Sequence, residues 1–330
     1  MILVVLFLSG QLLDPGATGY TFMKLGVGVR PVAMGNAFTA LSDDGNAVFW
    51  NPSGLGLVYG YHVTGMLMNH LTYFSYYNLT SAIPVTKNGA VGIGLSYLGA
   101  SDVEYSERGE ELGTFTNSDM LINVGYGHSI GKNKMLSLGG AVKVVRGQLY
   151  RYSSYGVLAD LGLLINPIKY VYFGTVLKNL GTPRRYIEKW EYPPVNFRQG
   201  CAVKVPLQGN QLALSIDYSI YPDFKPTFSV GGEVRIGTSE LLSSSAQKTL
   251  TGFAVMAGYQ SGYGEGTFSG FSLGFSVEMS VMAGLHLDIG ALLLSYGYLG
   301  TSERIALGLR YVPTRGHASR QSRPSGHSRL

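Results

Sequence analysis

The sequence predicts an all-β protein, a fourteen-stranded antiparallel transmembrane β-barrel with a short, partly helical N-terminal plug in its lumen. Charged residues are 14% of the 330 residues, against roughly 25% in soluble domains. Apolar residues alternate with small ones after about position 60. No apolar run reaches the roughly 18 residues of a transmembrane helix. A glycine-rich soluble β protein is the alternative that composition leaves open.

Residues 1–19 are predicted to be a signal peptide. Ile2 to Leu8 form an apolar core, and Ala17-Thr18-Gly19 offers small residues for cleavage. A buried first strand fits less well, because Asp14-Pro15-Gly16 follows the apolar segment closely.

Residues 20–60 are predicted to form the plug. Small residues and breaker dipeptides interrupt this segment, so it cannot supply a long strand. Ala33 to Leu41 predicts a short helix instead. A barrel of fourteen strands has a lumen wider than its own side chains fill. We therefore expect the segment to fill the lumen, with Phe49 and Trp50 packed against an inner wall of small residues.

Residues 61–313 are predicted to form the barrel. In each segment one face is large and apolar and the other is mostly Gly, Ser and Ala, which favours an outward face in lipid. We expect the tight turns on one rim and the longer connections 99–114, 180–195 and 238–248 on the other. The predicted strands are 61–70, 72–85, 88–98, 115–129, 135–148, 155–166, 169–179, 196–206, 210–221, 227–237, 249–261, 268–280, 284–297 and 301–312.

Several charged residues share the small-residue face of these strands. A charge facing lipid costs roughly 2–4 kcal/mol for Arg or Lys at the membrane midplane, so we expect these side chains to face the lumen. A structural salt-bridge network and a substrate path both remain open. The residues are Lys143, Asp160, Asp217, Glu233, Arg235, Glu278, Asp288 and Arg310.

Residues 314–330 form a Ser-, Gly-, Arg- and His-rich tail that is predicted to be disordered. It carries four arginines and no acid, so the net charge without it is +5 − 4 = +1. The tail is either a solvated appendage or a contact for anionic lipid. A near-neutral body gives no basic face for nucleic acid.

The sequence predicts no enzyme, no cofactor and no metal site. Gly127 to Gly131 matches the G-x-S-x-G pattern, but a second strand follows where a hydrolase needs a helix. Ser129 as a nucleophile is therefore the least favoured hypothesis. Asp43 and Asp44 suit a turn or a helix cap better than a calcium loop. Cys201 is the single cysteine, which excludes an internal disulfide.

Residues 25–56 resemble the N-terminal signature of the PorV/PorQ family, within the FadL-like group of outer-membrane barrels. The signature is a Gly-rich lead, an Ala-Met-Gly segment, an Asp-Asp turn and an aromatic residue before Asn-Pro-Ser-Gly-Leu. The C-terminal run with Asp288 and Tyr298-Leu299-Gly300 also resembles the family. With Phe49, the predicted plug motif is Met34, Gly35, Asp43, Asp44, Trp50, Asn51, Pro52, Ser53, Gly54 and Leu55.

The resemblance implies a plugged barrel in the bacterial outer membrane, surrounded by its lipid. PorV-like members act in type IX secretion through cargo and translocon proteins, and we expect this function here. The alternative is FadL-like passive transport of hydrophobic small molecules such as long-chain fatty acids. An apolar pocket against the plug, or a break in the strand ladder, would favour transport. A polar, filled lumen with apolar loops outside would favour protein partners.

Overall fold

A computed structural model describes residues 13–313 apart from 15, 71–73, 132–133, 238–249, 264 and 266–267. The described chain forms a closed barrel of fourteen antiparallel strands, which confirms the predicted fold class. The barrel strands are β1 (Tyr61–His70), β2 (Phe74–Thr86), β3 (Gly89–Tyr105), β4 (Glu111–Ile130), β5 (Leu136–Leu149), β6 (Tyr152–Ile168), β7 (Val171–Gly181), β10 (Asn196–Leu207), β11 (Asn210–Tyr221), β12 (Phe224–Gly237), β13 (Leu250–Gln260), β14 (Phe271–Met282), β15 (Leu285–Ser295) and β16 (Thr301–Tyr311). Between β7 and β10, β8 (Arg184–Arg185) and β9 (Trp190–Glu191) pair as a small hairpin.

The two faces of the wall differ as the alternation predicts. Along β14, the side chains of Leu273 and Phe275 are more than half exposed on the outside, whereas Ser272 is buried. Cys201 also faces outward. The ladder closes where β1 pairs with β16, with Tyr61 opposite Tyr311. An apolar outside and a small-residue inside suit a barrel surrounded by lipid.

The rims differ in part from the prediction. We call the end with the turns 87–88, 208–209 and 283–284 the turn rim, and the end with residues 182–195 the loop rim. The predicted loop 99–114 is mostly strand, since β3 and β4 pair as far as Tyr105 and Glu111. Charges on both faces hide the period-two pattern there, but backbone pairing does not depend on it. Gly237 and Leu250, which flank 238–249, lie at the turn rim, so the long connections do not share one rim.

The N-terminal segment passes through the lumen from the loop rim to the turn rim. At the loop rim, the Leu13 amide donates to the Pro222 carbonyl over 2.9 Å. At the turn rim, Gly56 meets Ser129 before β1 begins. Residues 1–12 and 314–330, where the apolar core of the leader and the tail were predicted, lie outside the described residues.

The plug contains only short helices. They are 3₁₀-helices at Thr21–Lys24 and Pro52–Leu57 and α-helices at Val29–Ala33 and Ala47–Trp50; a further 3₁₀-helix, Gly297–Leu299, precedes β16. The predicted helix from Ala33 to Leu41 is wrong. Gly35 and Asn36 have φ angles of +61° and +64°, and this left-handed conformation ends a helix. Within the described residues, no helix is long and apolar enough to cross a membrane.

Candidate functional site: the plug and the lumen wall

Asn51 holds the centre of the plug motif together. Its Oδ1 accepts hydrogen bonds from the Ser53 amide over 3.2 Å and from the Ser53 hydroxyl over 2.6 Å. Its Nδ2 donates to the carbonyls of Thr39 in the plug and Leu163 in β6, over 3.0 and 3.2 Å. Pro52 begins the following 3₁₀-helix, where its missing N–H is not needed. One buried amide therefore fixes the turn and ties it to the wall.

Trp50 is a buried anchor inside the plug. Its Nε1 donates to the Val27 carbonyl over 2.9 Å, and its ring packs edge-on against Phe38 at 6.1 Å between centroids. Two cations of the wall approach the same ring, Arg198 at 5.0 Å and Lys178 at 5.6 Å. The indole thus joins the apolar centre of the plug to charged groups of the barrel.

Glycines of the inner wall allow the plug to approach at backbone distance. A Cβ on Gly94 would lie 2.3 Å from the Phe49 ring, and one on Gly92 would lie 2.9 Å from Leu55. These distances are shorter than real Cβ contacts, so a side chain on either glycine would force the plug residues to shift. The wall of small residues is therefore shaped to the plug.

The same fit recurs at Met34 and Gly35. A Cβ on Gly231 would lie 2.2 Å from the Met34 carbonyl oxygen, and one on Gly258 would lie 2.0 Å from the Gly35 amide nitrogen. Within the plug, Gly54 passes so close to Ser42 that a Cβ would lie 1.7 Å from the Ser42 carbonyl oxygen. At both ends of the plug motif, this close approach is possible because one of the two residues in contact is a glycine without a side chain.

Asp43 and Asp44 belong to a charge cluster near the turn rim. Arg30 Nη1 lies 2.6 Å from Asp43 Oδ1 and 3.1 Å from Asp44 Oδ2, and Lys204 also pairs with Asp43. Asp44 forms a turn as well, because its Oδ1 accepts the Asn46 amide over 2.8 Å. Burial alone would raise the pKa of Asp43, but Arg30 and Lys204 outweigh burial and hold that pKa well below its usual range.

The wall side of this cluster contains five of the predicted lumen charges. Glu233 lies 2.6 Å from Arg30 Nε and 3.1 Å from Arg235 Nη2. Glu278 pairs with Arg310, while Asp288 stands opposite Glu278 across β14 and β15. A cavity of about 290 Å³ adjoins the cluster and is lined by Arg30, Asp43, Asp44, Arg235, Asp288 and Arg310, among others. The cluster is a salt-bridge network that links plug and wall around a polar space.

Asp217 caps a turn of the plug from inside the wall. Its Oδ2 accepts the Thr39 hydroxyl over 2.6 Å and the amides of Thr39 and Phe38 over 2.9 and 3.1 Å. Arg198 Nη2 lies 3.1 Å from the same oxygen. A buried carboxylate with these donors holds the plug without an uncompensated charge.

Lys143 and Asp160 form a second buried pair, with 2.6 Å between Nζ and Oδ2. Lys143 Nζ also donates to Asn179 Oδ1 over 2.7 Å. The wall is irregular here, because Asp160 on β6 stands opposite both Lys178 and Asn179 on β7. The Asn179 amide donates to Asp160 Oδ1 over 2.8 Å instead of to a backbone carbonyl. We call Asp160, Lys178 and Asn179 the wall bulge.

A small cavity lies between the wall bulge and the plug. Its volume is about 50 Å³. Phe22, Leu25, Phe49 and Trp50 of the plug form its apolar side. Lys143, Lys178, Asn179 and Arg198 line it from the wall.

Sequence reasoning missed several cations that hold the plug, among them Arg30, Arg198, Lys204 and Arg304, whose Nη1 donates to the Gly26 carbonyl. Arg198 and Lys204 share the inward phase of β10 with Gly200 and Ala202, so the alternation could have identified them. Arg30 gave no such signal, because it stands in an apolar helical turn.

Ser129 has a structural position. Its hydroxyl donates to the Gly56 carbonyl over 2.7 Å and lies 2.7 Å from the Ser137 hydroxyl. β4 continues to Ile130 and then turns into β5, so the strand–turn–helix element of a hydrolase does not occur at this point. The hydrogen bond instead ties the end of the plug to the wall.

The fold resembles that of solved toluene transporters and of a FadL homologue. The toluene transporter TbuX of Ralstonia pickettii gives a TM-score of 0.56 at 12% identity, over 87% of this chain and 98% of that chain. The toluene transporter TodX of Pseudomonas putida gives 0.53 at 10% identity, over 92% and 99%. A FadL homologue of Pseudomonas aeruginosa gives 0.51 at 9% identity, over 92% and 99%.

These likenesses show a shared barrel fold. No protein-family model and no curated protein matches the sequence. The narrower PorV/PorQ resemblance therefore has no support from these comparisons.

Proposed function

We propose that the protein is a passive outer-membrane transporter of hydrophobic small molecules, the alternative that the sequence left open. The similar solved structures are toluene transporters and a FadL homologue, and their chains are covered almost completely. The expectation of a secretion barrel has no comparable support.

The wall bulge is the observation that carries this proposal. Bulges weaken the backbone ladder and occur next to functional sites. This one interrupts the β6–β7 ladder beside Trp50 and the small cavity. An interrupted ladder against the plug is the feature expected for lateral exit of a ligand.

In the proposed cycle, a hydrophobic molecule enters from the loop rim and displaces the apolar plug residues that line the small cavity. The cavity of about 50 Å³ is too small for a whole ligand, since ligand pockets are typically about 300–1,000 Å³. The plug around Asn51 to Leu55 must therefore shift before transport. The ligand then leaves sideways through the wall at the bulge.

We also propose export by a leader that is removed before Thr18. Thr18 and Tyr20 are buried, and the Thr18 hydroxyl donates to Asp223 over 2.6 Å. Cleavage after residue 19, as the sequence suggested, would remove this contact. N-terminal sequencing of the mature protein tests the boundary.

Locking the plug tests the transport proposal. In a Cys201→Ser background, we would introduce Val29→Cys and Gly290→Cys. A Cβ on Gly290 would lie 3.6 Å from the Val29 Cβ, within the disulfide range of about 3.5–4.5 Å. The assay is uptake of radiolabelled toluene and of a labelled fatty acid by cells that lack an outer-membrane transporter of this type.

We expect the reduced double variant to take up the labelled compound. Oxidation should stop this uptake, and added reductant should restore it. Each single-cysteine variant, treated with the same oxidant, is the control. A correctly folded, unlocked protein that gives no more uptake of either compound than empty cells would refute transport. Uptake that continues when the disulfide has formed would refute movement of the plug.

Partner binding is the second candidate, supported by exposed apolar groups at the loop rim. Ile187 and Trp190 are 60% and 52% exposed, and Tyr298 is 85% exposed. Such groups fit a protein contact. Co-purification from outer membranes separates the candidates: a stoichiometric secretion protein would favour this one, and bound lipid or hydrocarbon would favour transport.

A further inference from the structure

One carboxylate of the charge cluster near the turn rim has no cation as a partner. Asp288 lines the cavity of about 290 Å³, and it forms no ion pair within the part of the chain that the structure describes. It stands opposite Glu278 across β14 and β15, and like charges in this position destabilise a sheet. The nearby cations favour Glu278, because Arg310 pairs with it and His286 Nδ1 lies 3.2 Å from its Oε1.

The whole cluster has one negative charge in excess. Among the described residues, five carboxylates of the cluster face four lysine and arginine side chains, so its net charge is 4 − 5 = −1 with neutral histidines. The carboxylates are Asp43, Asp44, Glu233, Glu278 and Asp288. The cations are Arg30, Lys204, Arg235 and Arg310.

The last strand ends close to this cavity. β16 reaches Tyr311 at the turn rim, where the Val312 amide donates to the Gly284 carbonyl over 2.7 Å. Asp288 pairs with Gly308, three residues before Tyr311, so it lies about 10 Å inside the rim. Arg315 follows Tyr311 by four residues, and an extended chain of that length spans about 13–14 Å. The chain after β16 is therefore long enough to return to Asp288.

The tail has the charge that the cluster lacks. Residues 314–330 contain four arginines and no acid. A guanidinium binds a carboxylate through two parallel charge-assisted hydrogen bonds. Because the tail is attached to β16, the effective concentration of its arginines at the turn rim is about millimolar. The arginines are Arg315, Arg320, Arg323 and Arg329.

We propose that the tail folds back over the turn rim and that one of its arginines pairs with Asp288 in this cavity. One added positive charge makes the cluster neutral. The cavity lies between Arg30 and Asp44 of the plug and Asp288 of the wall, so the tail then holds the plug in place at this rim. The inference goes beyond transport, because it applies equally to a barrel that binds protein partners.

Zero-length crosslinking tests this contact in the full chain. A carbodiimide joins a lysine amine to a carboxylate only where the two groups touch. The tail contains no lysine, so each of its four arginines would be replaced by lysine in turn, which preserves the charge. The variants are treated in lipid nanodiscs of phosphatidylcholine, with and without phosphatidylglycerol, and mass spectrometry of their peptides locates the crosslinks.

The chain supplies internal controls. Lys204 and Asp43 pair beside the same cavity, with side chains that are 27% and 19% exposed. Their crosslink shows that the reagent reaches the cavity and that the protein is folded. Lys87 is exposed at the turn rim outside the tail, so a crosslink from Lys87 to Asp288 would measure random contact.

We expect at least one tail lysine to crosslink to Asp288 of the same molecule in both lipid compositions, and Lys87 not to do so. In Asp288→Asn, the crosslinks between that lysine and the barrel should be lost. The matched control is Asp102→Asn, an exposed carboxylate at the loop rim, which should leave the yield unchanged.

Four results would overturn the inference. The first is a Lys204–Asp43 crosslink without any crosslink from the tail to Asp288. The second is a yield that survives Asp288→Asn. The third is a crosslink that forms only between two molecules, because the occupant is then a second copy. The fourth is a crosslink that disappears when phosphatidylglycerol is added, because the tail then binds anionic lipid. None of these results changes the expected uptake of toluene, so the transport proposal is tested separately.

Discussion

Gly139 and Gly140 are neighbours on β5 that face opposite sides of the wall. A Cβ on Gly139 would point inward and lie 2.3 Å from both the Pro52 carbonyl carbon and the Ser53 amide nitrogen. A Cβ on Gly140 would point outward, and its nearest neighbour, the Asp160 carbonyl oxygen, would lie 3.6 Å away. Alanine at these two positions therefore compares the same chemical change with and without contact to the plug.

The expected cost follows from the overlap. Ordinary contact begins at 3.4 Å, so alanine at Gly139 is too close to plug backbone by 3.4 − 2.3 = 1.1 Å. Overpacking of this kind costs about 1–3 kcal/mol. Replacing glycine gains about 0.4–1 kcal/mol through the unfolded chain. We expect Gly139→Ala to be destabilised by about 1–2 kcal/mol, and Gly140→Ala to be neutral or slightly stabilised.

Two measurements check this prediction. Urea unfolding in detergent gives the difference in free energy of unfolding. Limited chymotrypsin digestion reports on the plug, because the buried residues Phe49 and Trp50 become cleavable only when the plug leaves the lumen. Equal unfolding midpoints and equal digestion of the two variants would show that the plug does not fit the wall as closely as the inner glycines indicate.

Two further predictions concern how the plug is held. Asp43→Asn weakens the pairs with Arg30 and Lys204, so we expect the free energy of unfolding in urea to fall by about 1.5–3 kcal/mol. The control is Glu107→Gln, an exposed residue at which we expect no change. An equal effect of both substitutions would contradict the role of the charge cluster. At the loop rim, burial alone would raise the pKa of Asp223, but hydrogen bonds from Lys24 and Thr18 outweigh burial and lower it. The contribution of Asp223 is therefore complete above its unfolded pKa of about 3.9 and is lost as the pH falls through the lower folded value. In the native protein, we expect proteolysis of the segment from Thr18 to Lys24 to increase below about pH 4. In Asp223→Asn, we expect the same proteolysis already at neutral pH. A rate of proteolysis that does not depend on pH in either protein would contradict the role of Asp223.

The barrel could be predicted from the sequence because lipid imposes a strict rule on each strand. Leu273 and Phe275 face outward and Gly274 faces inward, and this period of two is visible in any strand that crosses the membrane. The rule ends at the rims. The pattern therefore predicts a loop for the outer parts of β3 and β4, although Asp102 and Glu104 pair in register with the opposite strand.

The candidate site was harder to predict for a different reason. Period-two phase shows that Asp160 and Asp217 face inward, but not which plug group each one meets. Lys178 shares the inward phase of β7 with Gly174 and Val176, so alternation places it in the lumen but does not show that it meets Trp50. Contacts between residues far apart in sequence, such as Arg30 with Glu233, have no local pattern at all.

The path of the plug has a consequence for the order of folding. Thr18 is anchored at one rim and Gly56 at the other, and several wall glycines between them lie against the backbone of the plug. A segment of this kind cannot enter a finished cylinder without disrupting its contacts along the whole length. The first and last strands, β1 and β16, are therefore sealed around a segment already in place. The barrel then closes around the plug segment, and contacts with the plug guide the last pairing of its strands.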